Sequence, residues 1–137
     1  MELHAFGGYG EMYLEKLKSD RVPTNTLNTY NWALKKHLNP YFKDKDIVMI
    51  NQREVDAFRA SKMNLSAATI NLILQVLSGV LKLAMEYDVI DKIPTMRHLT
   101  PNMNEHYLTD EEALLLLSKC KSTLYIMVAL ALTTGLR

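Results

Sequence analysis

The chain has 137 residues, enough for one ordinary domain, or for a small domain plus part of another. Hydrophobic residues make up 48% and charged residues 23%, as in folded globular proteins, and a net charge of +1 gives no bulk signal for nucleic acid. A single cysteine, Cys120, excludes an internal disulfide framework, fits a reducing compartment, and is read as a packing residue in an apolar helical stretch.

Helical periodicity dominates the chain, and no stretch alternates like a strand. The N-terminus carries Gly7, Gly8 and Gly10 and no apolar run, which excludes a signal peptide there. The spacing predicts a first helix over 10–20, with Met12, Tyr13, Leu14 and Leu17 facing inward. Thr24 is positioned to cap a second helix running from Asn25 to Leu38, which Pro40 should stop because its ring disfavours helix at the residue before it. A short loop over 43–46 follows. Asn51 with Glu54 three residues on reads as a capping box opening a third helix to Ser61, with Val55 and Phe58 inward. Ser66 opens the fourth and longest helix, to Tyr87, and the segment 89–94 closes the bundle.

From Thr95 to Tyr107 the composition turns polar and aperiodic, as expected of an interdomain linker. Thr109-Asp110-Glu111-Glu112 forms a strong capping box for a fifth helix. A sixth runs from Ser122 to Thr134, and Gly135 is placed to end it in a left-handed conformation. Its apolar run, Leu124 to Leu132, falls short of the roughly 20 residues that span a bilayer and reads as a buried core helix. The expected fold is therefore all-α: a four-helix bundle over 1–94, a linker over 95–107, and two further helices over 108–137.

The small net charge hides an uneven distribution. Neither Arg21–Lys43 nor Ala57–Met85 contains an Asp or Glu, whereas Arg21, Lys35, Lys36, His37, Lys43, Arg59, Lys62 and Lys82 fall inside these windows. Helices without carboxylates suit a phosphate-facing surface, because each carboxylate would repel the backbone it approaches. In the fourth helix Ile70, Ile73, Leu74, Leu77, Val80, Leu81 and Ala84 share one broad face, and Asn71, Gln75, Ser78 and Lys82 form a narrow strip opposite. Such a strip of amide, hydroxyl and ammonium groups can bond base edges and phosphates; it is equally the solvated side of an amphipathic helix. On the second helix Leu27, Tyr30, Leu34 and Leu38 face inward, and Asn28, Trp32, Lys35, Lys36 and Asn39 outward. Trp32 either packs along a sugar-phosphate backbone or folds back over the bundle.

Most catalytic constellations are absent. There is no Gly-rich phosphate loop, and His4, His37, His98 and His106 have no second ligand at metal-binding spacing. Tyr87 and Tyr107 read as packing or linker residues. The informative ending is Thr133-Thr134-Gly135-Leu136-Arg137, which closes an apolar helix that follows Leu108-Thr109-Asp110-Glu111-Glu112. That block resembles the start of the catalytic domain of tyrosine recombinases of the phage-integrase type. Ser66-Ala67-Ala68-Thr69-Ile70-Asn71 with Leu74, Leu77, Leu81 and Ala84 resembles the last long helix of that family's SAM-like core-binding domain, and Thr26-Leu27-Asn28-Thr29-Tyr30 the opening of its second helix. The chain departs from the family near Asp88, where Gly is frequent, and at Ile93-Pro94, where Asn-Pro is frequent.

The resemblance implies a DNA-binding core domain joined to the beginning of a catalytic domain, in a cytoplasmic, nucleoid-associated protein of bacterial or phage origin. It implies double-stranded DNA as partner, a tetramer on DNA for the full-length family, and no cofactor, metal or membrane. The candidate DNA-binding residues are Asn28, Lys35, Lys36, Asn71, Gln75, Ser78 and Lys82. In the family a tyrosine attacks the scissile phosphate and forms a 3′-phosphotyrosyl link. Arg137 matches the first catalytic arginine, whose planar fork would hold nonbridging phosphate oxygens; alternatively, it is an arginine near a helix's negative C-terminal end. The family's other catalytic residues, including the tyrosine, fall after this motif, so the 137 residues alone are expected to be inert as an enzyme and at most a DNA binder. A small helical DNA-binding regulator and a helical protein-interaction module are the competing readings.

Overall fold

The computed structural model describes residues 4–102 and 107–135, and they are all-α apart from one isolated backbone bridge. The chain divides into two compact units, Met1–Asn102 and Met103–Arg137.

In the first unit, α1 spans Phe6–Ser19, starting earlier than the glycines of this segment suggest. Tertiary pairing overrides their low helix propensity. The Phe6 amide donates to the Lys45 carbonyl at 3.0 Å and the Gly7 amide to that of Lys43 at 3.1 Å, and Ala5 pairs with Asp46. Phe6 is fully buried against Phe42. The two helix-end residues Asp20 and Arg21 close α1, with Arg21 left-handed at φ 56° and the Val22 amide donating back to Leu17 at 3.1 Å.

The second helix begins at Thr24 itself, after Pro23, so Thr24 is a helical residue and not the expected cap. Nor does Pro40 stop the helix. α2 (Thr24–Ala33) runs into a π turn (Leu34–Leu38) and on into α3 (Asn39–Phe42), with Pro40 in the first turn of α3. The proline has no amide to donate, and its ring would crowd an ordinary α turn. The wider turn re-phases the backbone, and Asn39 donates five residues back to the Leu34 carbonyl. It also changes which side chains face inward: Ala33 and His37 are buried together with Leu34 and Leu38.

Asn51 caps α4 (Gln52–Ser61), its side chain accepting from the Glu54 amide at 3.1 Å. The box is only half formed, because the Glu54 carboxylate pairs with Lys45. Ser66 caps α5 (Ala67–Glu86) as expected. The apolar face is buried as the spacing implied, and Val76 and Leu83 join it. By length and composition alone α5 could cross a membrane, at a mean hydropathy of 1.6, but half of that stretch is buried as the unit's central helix. Phe6, Leu38, Phe42, Ile47, Val55 and Phe58 complete the core around it. α5 ends at Tyr87, followed by Asp88 in a left-handed conformation (φ 56°), where the family often has glycine; the Val89 amide reaches back to Ala84 at 3.0 Å.

The start of the expected linker does not run free. Gln52 and Asn71 each bond both backbone groups of one residue: Gln52 with Thr95 (3.1 and 2.7 Å) and Asn71 with Leu99 (2.7 Å for both). Met96 and Leu99 pack on the core between these clips. Residues 103–106 of that linker lie outside the described residues.

In the second unit, Thr109 and Glu112 form the complete capping box of α6 (Asp110–Lys119), and α7 (Thr123–Thr134) ends at left-handed Gly135, φ 65°. The expectation of a buried core helix fails here: no residue of α6 or α7 is buried, and Leu124, Ile126, Met127 and Leu130 are exposed. A single helix pair has too little opposing surface to cover such a helix. Cys120, expected inside an apolar helix, instead stands partly exposed as the C-cap of α6.

Candidate nucleic-acid interface

The strip expected on α5 is partly engaged in holding the fold together. The Asn71 amide is spent on Leu99. Gln75 donates to the Tyr30 hydroxyl at 2.9 Å, tying α5 to α2, and Tyr30 stacks on Tyr13 with ring centroids 6.5 Å apart. Partial burial pushes the Tyr13 phenol up, and Tyr30 adds to it. Gly79 makes room for this ring: a Cβ there would stand 2.3 Å from the Tyr13 Oη. Ser78 is half-buried and Lys82 exposed. Both line an open groove with Lys16, Asp20 and Glu86. Lys16 hydrogen-bonds Glu86, and that bond raises its pKa and holds it as a cation.

Asn28 on α2 and Lys35 in the π turn are exposed, but the groove they line also contains Glu11 and Glu15. Lys36 is placed differently, its Nζ 5.7 Å from the centre of the Trp32 ring. The seven candidate residues therefore do not share one carboxylate-free groove. The main reason is α1: it packs against both α2 and α5 and brings Glu11, Glu15 and Asp20 beside them, while α5 adds its own last residue, Glu86, paired with Lys16. Reading the acid-free windows one segment at a time misses the acids that a neighbouring helix contributes.

A separate cluster of the first window centres on Trp32. Trp32 is 40% exposed, and the His37 ring meets it edge-on at 4.8 Å. His37 is buried with no hydrogen-bond partner for its Nε2, and burial, with the charges of Lys62 and Lys36, lowers its pKa. His37 is therefore not the surface cation the sequence counted. Lys62, the C-cap of α4, stands 5.7 Å from the Phe58 ring centre. Neither Lys36 nor Lys62 has an ion-pair partner among the described residues.

Arg137, the candidate catalytic residue, lies outside the described residues. Among those described, no group of His, Cys, Asp or Glu side chains is arranged to hold a metal ion.

These features define a small all-α domain whose surface is rich in amides, lysines and one exposed tryptophan. Residues 5–63, from the start of α1 to just past α4, match the family model described as phage integrase, N-terminal SAM-like domain, so this part of the chain is similar to that domain. No curated protein and no solved structure matches the chain.

Proposed function

We propose that the first unit binds double-stranded DNA as the N-terminal part of a site-specific tyrosine recombinase. The observation that carries this is the match of residues 5–63 to the integrase SAM-like domain, on a helical unit with two carboxylate-poor segments. In this reading residues 1–94 are the core-binding domain, 95–107 a linker whose first part docks on that domain, and 108–137 the opening of a catalytic domain. The Thr109 capping box and the left-handed Gly135 before Arg137 support that last assignment. Of the seven candidate contacts, Lys35, Lys36 and Lys82 are exposed cations that can meet phosphates. Asn28, Gln75 and Ser78 keep hydrogen-bonding capacity for backbone or base edges. Asn71 serves the fold instead. Full-length members of the family would assemble as a tetramer on DNA, and Arg137 would grip the scissile phosphate.

A salt titration of duplex binding tests the reading. With about four basic side chains on phosphates, the slope of log affinity against log salt should be near −4. No binding, or binding indifferent to salt, would leave a protein-interaction module as the better account. The 137 residues contain no second cluster of recombinase catalytic residues, so incubation with a DNA substrate that traps the phosphotyrosyl link should yield no covalent adduct. An adduct would overturn that part of the proposal.

A further inference from the structure

We infer that His98, carried on the docked start of the linker, is a contact for a DNA phosphate, and that Gln52 and Asn71 are the positioning residues that hold it against α5 beside Ser78 and Lys82. This rests on the DNA-binding reading above and adds to it a residue outside the seven candidates.

The path of the chain carries the first part. α5 ends at Glu86, yet Leu99 is held by Asn71, in the second turn of the same helix. The segment has therefore come back about 22 Å along the helix axis. It is held there through its backbone: Gln52 and Asn71 each give one residue the pair of bonds that a neighbouring strand would give. Met96 and Leu99 pack on the core. Thr100, Pro101 and Asn102 continue to the start of α5, where they line an open pocket with Ser66, Ala67 and Ala68.

Backbone clips leave side chains uncommitted, and His98 stands next to the clip at Leu99. It is exposed and lines the groove of Gln75, Ser78 and Lys82. Among the described residues it makes no hydrogen bond, ion pair or ring contact, so the fold does not use its imidazole. That ring carries at least one N–H in either protonation state, the Ser78 hydroxyl one O–H and the Lys82 ammonium three N–H groups. Donors from two elements thus line one groove. The charge agrees with this: Lys92 to Asn102 contains no Asp or Glu but carries Lys92, Arg97 and His98. Of the two carboxylates in the groove, Glu86 is bonded to Lys16, which leaves Asp20 against Lys82 and His98. A phosphate diester, with one negative charge and two nonbridging oxygens that only accept, is the ligand these donors fit.

The test uses the full 137-residue chain and a labelled random-sequence duplex at fixed salt. His98→Ala should weaken binding by roughly tenfold, the worth of one hydrogen bond to a charged oxygen, with the Leu99 amide still slow to exchange. Gln52→Ala/Asn71→Ala should speed exchange at Leu99 and weaken binding by a similar factor, with far-UV circular dichroism verifying that helix content is kept. Adding His98→Ala to that double variant should cost nothing further, because the clips act through His98. A further loss of the same size in the triple variant would overturn the positioning role. Unchanged binding by His98→Ala, or tighter binding by the clip variant, would overturn the contact while DNA binding by the unaltered chain stands. His98→Ala removes no contact of the fold, so it decides the matter even if the clip variant loses helix content. If the unaltered chain binds no duplex, the DNA-binding reading itself falls, and this contact with it.

Discussion

Replacing Asn71 by alanine separates a structural clip from a base-reading amide. In the fold the Asn71 side chain donates to the Leu99 carbonyl and accepts from the Leu99 amide, both at 2.7 Å, so it satisfies an extended segment as a neighbouring strand would. Each such neutral bond contributes about 0.5–1.5 kcal/mol net, so Asn71→Ala should lower the stability of the first unit by about 1–3 kcal/mol. The effect sits at the upper end if the partly buried Leu99 groups stay dry after the substitution, and at the lower end if water replaces the amide. Urea denaturation followed by Trp32 emission reads the change in this unit alone, since the second unit has no tryptophan. Hydrogen exchange at the Leu99 amide should speed up in parallel. A variant within 0.5 kcal/mol of the unaltered chain, with Leu99 still protected, would refute the clip. Weaker duplex binding in that same variant would return Asn71 to the DNA-reading strip.

Gly79→Ala should destabilise, although alanine is the better helix former by about 1 kcal/mol, because the added methyl would sit 2.4 Å from the Tyr13 Cζ and such crowding costs about 1–3 kcal/mol. In a Tyr13→Ala background the same change should stabilise, by about 1 kcal/mol; stabilisation with Tyr13 intact would disprove the close approach. His37 has its pKa lowered by burial and by Lys62 and Lys36, so the folded state holds it neutral. Its stabilising contribution is complete above the unfolded value near 6.5 and is lost as pH falls through the lower folded value, because the unfolded chain then binds the extra proton. Urea midpoints between pH 7 and 5 should therefore fall more steeply for the unaltered chain than for His37→Gln, and parallel curves would remove His37 as the cause. Arg21 and Asp88 are left-handed at φ 56° without being glycine, so Arg21→Gly and Asp88→Gly should each raise stability, by about 0.5–1 kcal/mol in urea melts. A decrease at either site would mean that its side chain does more for the fold than its backbone geometry costs.

The all-α class, the caps at Asn51, Ser66 and Thr109, the buried face of α5 and the left-handed Gly135 were legible in the sequence because each depends on residues within a turn or two of one another. The resemblance to integrases rested on such local blocks too, and the part over 5–63 agrees with the family match. Other features needed partners far along the chain. α1 begins at Phe6 because the backbone of Lys43 and Lys45 receives its first amides, and Pro40 sits inside a helix because a π turn re-phases the backbone ahead of it. The partners of Asn71 and Gln75, Leu99 and Tyr30, likewise lie far along the chain. The electrostatic surface was the least legible feature of all. Charge along one segment says what that segment carries, but the field at a groove sums every helix that lines it, and only the packing of α1 against α2 and α5 brought Glu11, Glu15 and Asp20 to those grooves.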